Sequence, residues 1–229
     1  MRFAFAVCAL AGLVAGCAGG QEQAIVRNYF VASRVNDVTT LGNIAMVRFD
    51  REVDGVVRSP NVESVTEEQR RPLRIRELAQ TIMDARAAEE EFTARKIAYQ
   101  DENVAAISRV LEAESEDREV ASRDLEAQEE WTTWRDETRQ YARALSDAQA
   151  QLDDESAVAE LSVFDPNNPV DLTQYDGELL SKRVTIAATV EMPDSQEIDR
   201  TMVVTLEKVE LTGQDGVMLD GRWIITGLE

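Results

Sequence analysis

From Leu73 to Phe164 the chain runs 92 residues without a Gly or a Pro. Those two residues are the usual punctuation of turns and breaks, so the stretch has little choice but to be long helix. Its apolar residues recur three and four apart, the spacing of one helix face. Ile75, Leu78, Ile82, Ala85, Phe92 and Tyr99 keep one heptad phase, and Ile97, Val104, Ile107 and Leu111 repeat one residue out of it. That drift is expected of a helix that keeps 3.6 residues per turn. Trp131, Trp134, Tyr141, Leu145, Ala148 and Leu152 form a second series, interrupted by Thr138. Opposite charges at i,i+4, such as Glu91–Arg95 and Glu119–Arg123, add about 0.2–0.5 kcal/mol each and do not decide the matter.

A single helix of this length would extend about 138 Å with its apolar stripe in water. The polar run Glu112–Arg118 offers a turn near the midpoint. Two arms of about 60 Å can then cover each other's stripes. The sequence thus predicts an antiparallel coiled-coil hairpin inserted over residues 67–164. A second interruption at Asp101-Glu102-Asn103 leaves three shorter helices as an alternative, and a parallel coil between chains is another. The strand signals that resume after the insert favour the hairpin.

Residues 24–66 and 165–229 leave 108 residues for a second body, enough for one modest core. Gln23–Val35 reads as a helix with Ile25, Val26, Tyr29, Phe30 and Ser33 on one side, and Asp37 as the N-cap of a short helix reaching Met46. Arg48–Val65 turns β-like, punctuated by Gly55 and Ser59-Pro60-Asn61. After the exit turn Asp165-Pro166-Asn167-Asn168-Pro169, the residues Val184–Met192 alternate as a half-buried strand. Met202, Val204 and Leu206 share one parity and Val209 and Leu211 the other, which predicts a bulge near Glu207-Lys208. Arg222–Thr226 reads as the last strand.

Arg2 followed by the apolar run Phe3–Ala15 has the form of a secretory signal, shorter than the roughly 20 residues of a membrane span. It ends in Leu13-Val14-Ala15-Gly16-Cys17, which resembles the lipobox of bacterial lipoproteins. The resemblance implies cleavage after residue 16, lipidation of Cys17 and a linker over 17–23. Cys8 lies inside the signal, so an ordinary signal peptide would leave Cys17 as an odd thiol in an exported protein. By the same resemblance Ala18, in place of Asp, implies the outer membrane, facing the periplasm.

Two helices, a short β segment, a helix and long meandering strands ending in Gly221-Arg222-Trp223-Ile224-Ile225 are similar to the nuclear transport factor 2 or ketosteroid-isomerase-like superfamily. Tyr29-Phe30-Val31-Ala32 with Asp37 looks like its first-helix signature. The resemblance covers about half the chain. It implies an α+β fold in which a curved antiparallel sheet packs on the N-terminal helices as a cystatin-like cone. It also implies a pocket at the wide end, with Tyr29, Phe30 and Trp223 as candidate lining. Chains of this build are similar to uncharacterised bacterial lipoproteins.

The chain has no His, which excludes histidine acid–base catalysis and ligation. Tyr29 alone maps to an oxyanion-type role, and no acidic residue sits at a matching position to serve as its base. Glu89-Glu90-Glu91 and Asp153-Asp154-Glu155 diverge around a helix. The Asp165 turn lacks the central Gly of a calcium loop. No catalytic residue, metal site or cofactor is therefore expected. A net charge of −20 disfavours nucleic acid. The sequence predicts a lipid-anchored, non-enzymatic envelope protein whose hairpin binds or spaces a protein partner. A small apolar ligand carried in the cone pocket is the second reading, and a divergent enzyme the third. Trp131 and Trp134 fit the apolar stripe, which packs them between the helices; as paired Trp they are candidate interaction residues only if the hairpin tip is open.

Overall fold

The structure is a computed structural model and describes residues 20–229. The signal segment and Cys17 lie outside the described residues. The described part is mixed α+β, with four α-helices and an open antiparallel sheet of seven strands. Helices α1 (Gln21–Val35) and α2 (Val38–Ile44) come first, then strands β1 (Val56–Val57), β2 (Asn61–Val65) and β3 (Gln69–Pro72). The long helices α3 (Ile75–Ser115) and α4 (Leu125–Ser162) follow, then β4 (Tyr175–Glu191), β5 (Glu197–Gly213), β6 (Met218–Asp220) and β7 (Ile224–Leu228). β4 carries β1, β2 and β3 along one edge and β5 on the other; β5 is bordered in turn by β6 and β7.

The described residues divide into two compact units: residues 20–70, 179–209 and 221–229 form the first, and residues 71–178 and 210–220 the second. In the first, α1 buries Val26, Tyr29, Phe30 and Ser33 among Leu180, Val184, Ile186, Val190, Val204, Leu206 and Ile225. Asn36 ends α1 in the left-handed region (φ 53°), a conformation Asn tolerates better than most residues. Asp37 then caps α2, accepting from the Thr40 backbone N–H at 3.0 Å and the Thr40 hydroxyl at 2.6 Å. The final strand and β2 share one sheet, through β4 and β5.

In the second unit α3 and α4 run antiparallel. Arg71 pairs with Glu155 at 2.7 Å, Phe92 stacks on Tyr141 at 4.9 Å between ring centres, and Arg109 pairs with Asp124 at 2.6 Å. The turn falls where the polar run predicts it: α3 stops at Ser115, Asp117 turns left-handed (φ 52°), and the Arg118 N–H reaches back to Ala113 O at 2.8 Å. Val110, Ala113, Val120 and Ala127 close the apolar end. The second interruption is present as well, as a kink within α3 and not as a separate helix. Asn103 leaves helical geometry (φ −117°, ψ 18°), and its Nδ2 donates to Tyr99 O at 3.0 Å, the kind of local competition that bends helices.

Three boundaries differ from the sequence reading. Residues 48–54 form no strand, and 51–54 are a turn, because carboxylates capture the backbone: Asp54 accepts from the Asp50 N–H and Asp50 from the Glu52 N–H, each at 2.8 Å. Strand β3 is exposed throughout and so carries no alternation to read. The second unit holds more than the hairpin, taking in residues 165–178 and 210–220. The parity switch in β5 holds: Met202, Val204 and Leu206 are buried, then Val209 and Leu211. The partner changes there from β7 to β6, with a register shift between Thr205 and Leu206.

Phe92 is nearly inaccessible between the long helices. Phe92→Ala is expected to cost about 3–5 kcal/mol, read as a lower urea midpoint of tryptophan fluorescence with an unchanged slope.

Candidate functional site

Helix α1 presents two faces. On the buried one, Tyr29 donates its hydroxyl to Val47 O at 3.2 Å and Ser33 donates to Phe49 O at 2.8 Å. Burial pushes the Tyr29 phenol up to about 12, with the charge of Asp54 adding to it. At neutral pH Tyr29 is thus a protonated donor already committed to a backbone carbonyl. Its ring is fully buried, so it does not line a pocket as the resemblance implies. The Asp54 carboxylate accepts from the Asp50 N–H and does not hydrogen-bond Tyr29.

Trp223 is likewise a packed residue. Lys182 Nζ lies 3.9 Å from its ring centre and 2.5 Å from Glu22 Oε1. The Lys182 side chain is 9 % exposed, and a cation so enclosed needs both a carboxylate and an aromatic face. Lys182 in turn holds the Glu22 carboxyl below its ordinary 4.5. The pair fastens the first turn of α1 onto β4.

The other face of α1 carries Gln23, Arg27, Val31 and Arg34, spaced four, four and three apart. With Phe30, Val57 and the Arg58-Ser59-Pro60 corner they line a groove of about 430 Å³. Of the candidate pocket residues, Phe30 alone reaches it. The Gln23 amide spans the groove's end, donating to Pro60 O and accepting from the Val62 N–H, both at 2.8 Å. Arg58 is neutralised by Glu191, with Nε 2.7 Å from Oε2. Arg27 and Arg34 have no such counter-charge among the described residues. Sequence reasoning passed over this stripe, although its helical spacing was legible.

In the second unit Trp131 and Trp134 are half-buried. Trp134 packs on Phe92 at 5.1 Å and Tyr99 at 6.3 Å, and its buried Nε1 has no acceptor. Lys96 lies 5.6 Å from the Trp131 ring centre and donates to Thr138 at 3.2 Å. Both tryptophans serve the seam between the helices; the geometry does not set them out as an open binding surface. Charge is distributed unevenly. Among the described residues the first unit holds eleven basic residues and the second twelve, whereas 30 of the chain's 44 acidic residues fall in the second.

Among the described residues no group of three or more His, Cys, Asp or Glu is arranged to hold a metal ion. Asp165 instead closes an Asx turn, accepting from the Asn167 N–H at 2.9 Å. Among the described residues no helix is long and apolar enough to cross a membrane. No family model, curated protein or solved structure matches the chain.

Because the folded Glu22 carboxyl lies below its ordinary value, its stabilising effect is complete above that value and is lost as pH falls through the folded one. Glu22→Gln is expected to lower stability at neutral pH by about 1.5–3 kcal/mol. The gap from the parent should narrow on acidification, as followed by thermal unfolding across a pH series.

Proposed function

We propose that this protein is a lipid-anchored, non-enzymatic component of a bacterial cell envelope, held through Cys17 at the outer membrane and facing the periplasm. Its acidic long-helix unit is the binding or scaffold module, and its partner is an envelope protein that presents a basic surface. The observation that carries this reading is the segregation of charge: twelve basic against 30 acidic residues in the second unit, eleven against fourteen among the described residues of the first. Such a field steers a basic partner and repels nucleic acid. The Tyr29 hydroxyl donates to Val47 O, which supports the non-enzymatic reading. In finer terms, we read the first unit as a cone of the nuclear-transport-factor-2-like kind and the helix pair as a coiled-coil insertion.

Two measurements test this. Intact mass of the protein from its host is expected to show a chain beginning at an acylated Cys17; Cys17→Ser is expected to release the protein from the membrane fraction. Unmodified, soluble native protein would remove the anchor. Replacing residues 80–150 by a short turn cuts both helices at one level, between the Arg71–Glu155 and Phe92–Tyr141 contacts. Partners captured by the parent at low salt are expected to be lost from the shortened protein and from the parent at high salt. An identical set of partners would exclude the helices as the binding module.

A further inference from the structure

Helix α3 carries more apolar residues than α4 covers. Its exposed large apolar residues are Met83, Ile97, Val104 and Leu111. All four fall on one heptad phase, with Glu90 in the remaining place. Ile97 is 52 % exposed, Val104 54 % and Leu111 42 %, whereas Ile107 and Val110 on the same turns are buried. α3 thus has a second seam beside the one that α4 fills. Apolar side chains one heptad apart are the knobs of a contact between helices. Ala94, Ala98, Ala105 and Ser108 flank the seam and are exposed, and side chains so small let a second backbone come close.

The spacing also selects the partner. The stripe is symmetric about Val104: Ile97 lies seven residues before it and Leu111 seven after, each about 10.5 Å along the axis. We propose that the seam is filled by a second copy of this chain, with its α3 antiparallel to the first on a two-fold axis at Val104. Val104 then meets Val104, and Ile97 meets Leu111 twice, as a self-complementary contact requires. Asp101 comes opposite Ser108 of the second copy, so a carboxylate meets a hydroxyl. Glu90 passes beyond the other helix, which ends at Ser115. The alternatives are poorer. A parallel pair in register sets Glu90 against Glu90 within the seam. Sliding the antiparallel pair by one heptad either sets Glu90 against Leu111 or carries Ile97 past the end of the other helix. Each second unit brings 30 acidic against twelve basic residues, so the two copies repel at long range and salt strengthens their association. A basic partner responds to salt in the opposite sense, so this contact and the proposed function fail separately.

The test uses the full chain carrying Cys8→Ser and Cys17→Ser, which leaves no thiol, in a nonionic detergent that shields the apolar run Phe3–Ala15. Sedimentation at high salt is expected to show a monomer–dimer equilibrium with a dissociation constant on the order of micromolar, because one stripe falls at the small end of interface sizes. Lowering the salt is expected to weaken it. Val104→Glu sets two carboxylates face to face at an exposed position that keeps its helix former, and is expected to weaken the dimer at least about ten-fold. Val38→Glu, at an exposed position in the first turn of α2, should leave it unchanged. On oxidation, a mixture of Ile97→Cys and Leu111→Cys chains is expected to cross-link. Either variant alone should cross-link at least about ten-fold less, since like positions lie about 21 Å apart. A chain that stays monomeric at every concentration and salt would overturn the proposal. So would a parent-like dimer of Val104→Glu, loss of the dimer in Val38→Glu, or like thiols that cross-link faster than the mixture.

Discussion

A helix of 41 residues with one apolar stripe cannot keep that stripe in water, and everything in the second unit follows from how α4 covers it. The cover changes in chemical kind along its length, and it leaves Ile97, Val104 and Leu111 of α3 exposed. Ion pairs hold the two ends, Arg71 to Glu155 and Arg109 to Asp124. Four aromatic rings fill the middle, where Phe92 meets both Trp134 and Tyr141. Asp124 is 3 % exposed and accepts two hydrogen bonds from Arg109, so the turn between the helices is set by a satisfied charge. The acidic surplus of this unit is tolerable because it lies on faces the seam does not use: Glu89 and Glu90 are at least partly open to solvent, whereas Phe92 is buried.

In the first unit the corresponding constraint is the docking of α1. The helix offers its aromatic side to the sheet, and three polar fasteners fix its rotation: Glu22 to Lys182, Ser33 to Phe49 O, and Tyr29 to Val47 O. Once that rotation is set, Arg27 and Arg34 can only face the β1–β2 corner. The groove is thus a by-product of core packing, and its chemistry is set by which residues occupy the leftover face.

Much of this was legible in the residues. The two long helices, the turn at residues 112–118, the cap at Asp37 and the parity change in β5 all follow from spacing. The tracts that were misread lack a periodic signal. β3 has no buried side chain, and the tract before β1 is governed by Asp50 and Asp54, whose carboxylates seize backbone N–H groups. The candidate pocket failed for a different reason. Tyr29 and Trp223 were assigned by resemblance, yet their polar atoms or faces are taken up by Val47 and Lys182, contacts between segments far apart in sequence. The Arg27–Val31–Arg34 stripe could have been found by asking what the non-core side of the first helix carries.

Gln23 has a consequence of another kind. Strand β2 pairs with β4 alone, so its outer rim would ordinarily be open to an incoming strand. The Gln23 side chain offers the Val62 N–H a carbonyl and the Pro60 carbonyl an N–H, the same complementary pair that an added backbone would bring. One amide on a helix thereby impersonates a neighbouring strand and stoppers the sheet. A chain whose first helix came loose would uncover not just a core but a template for self-assembly.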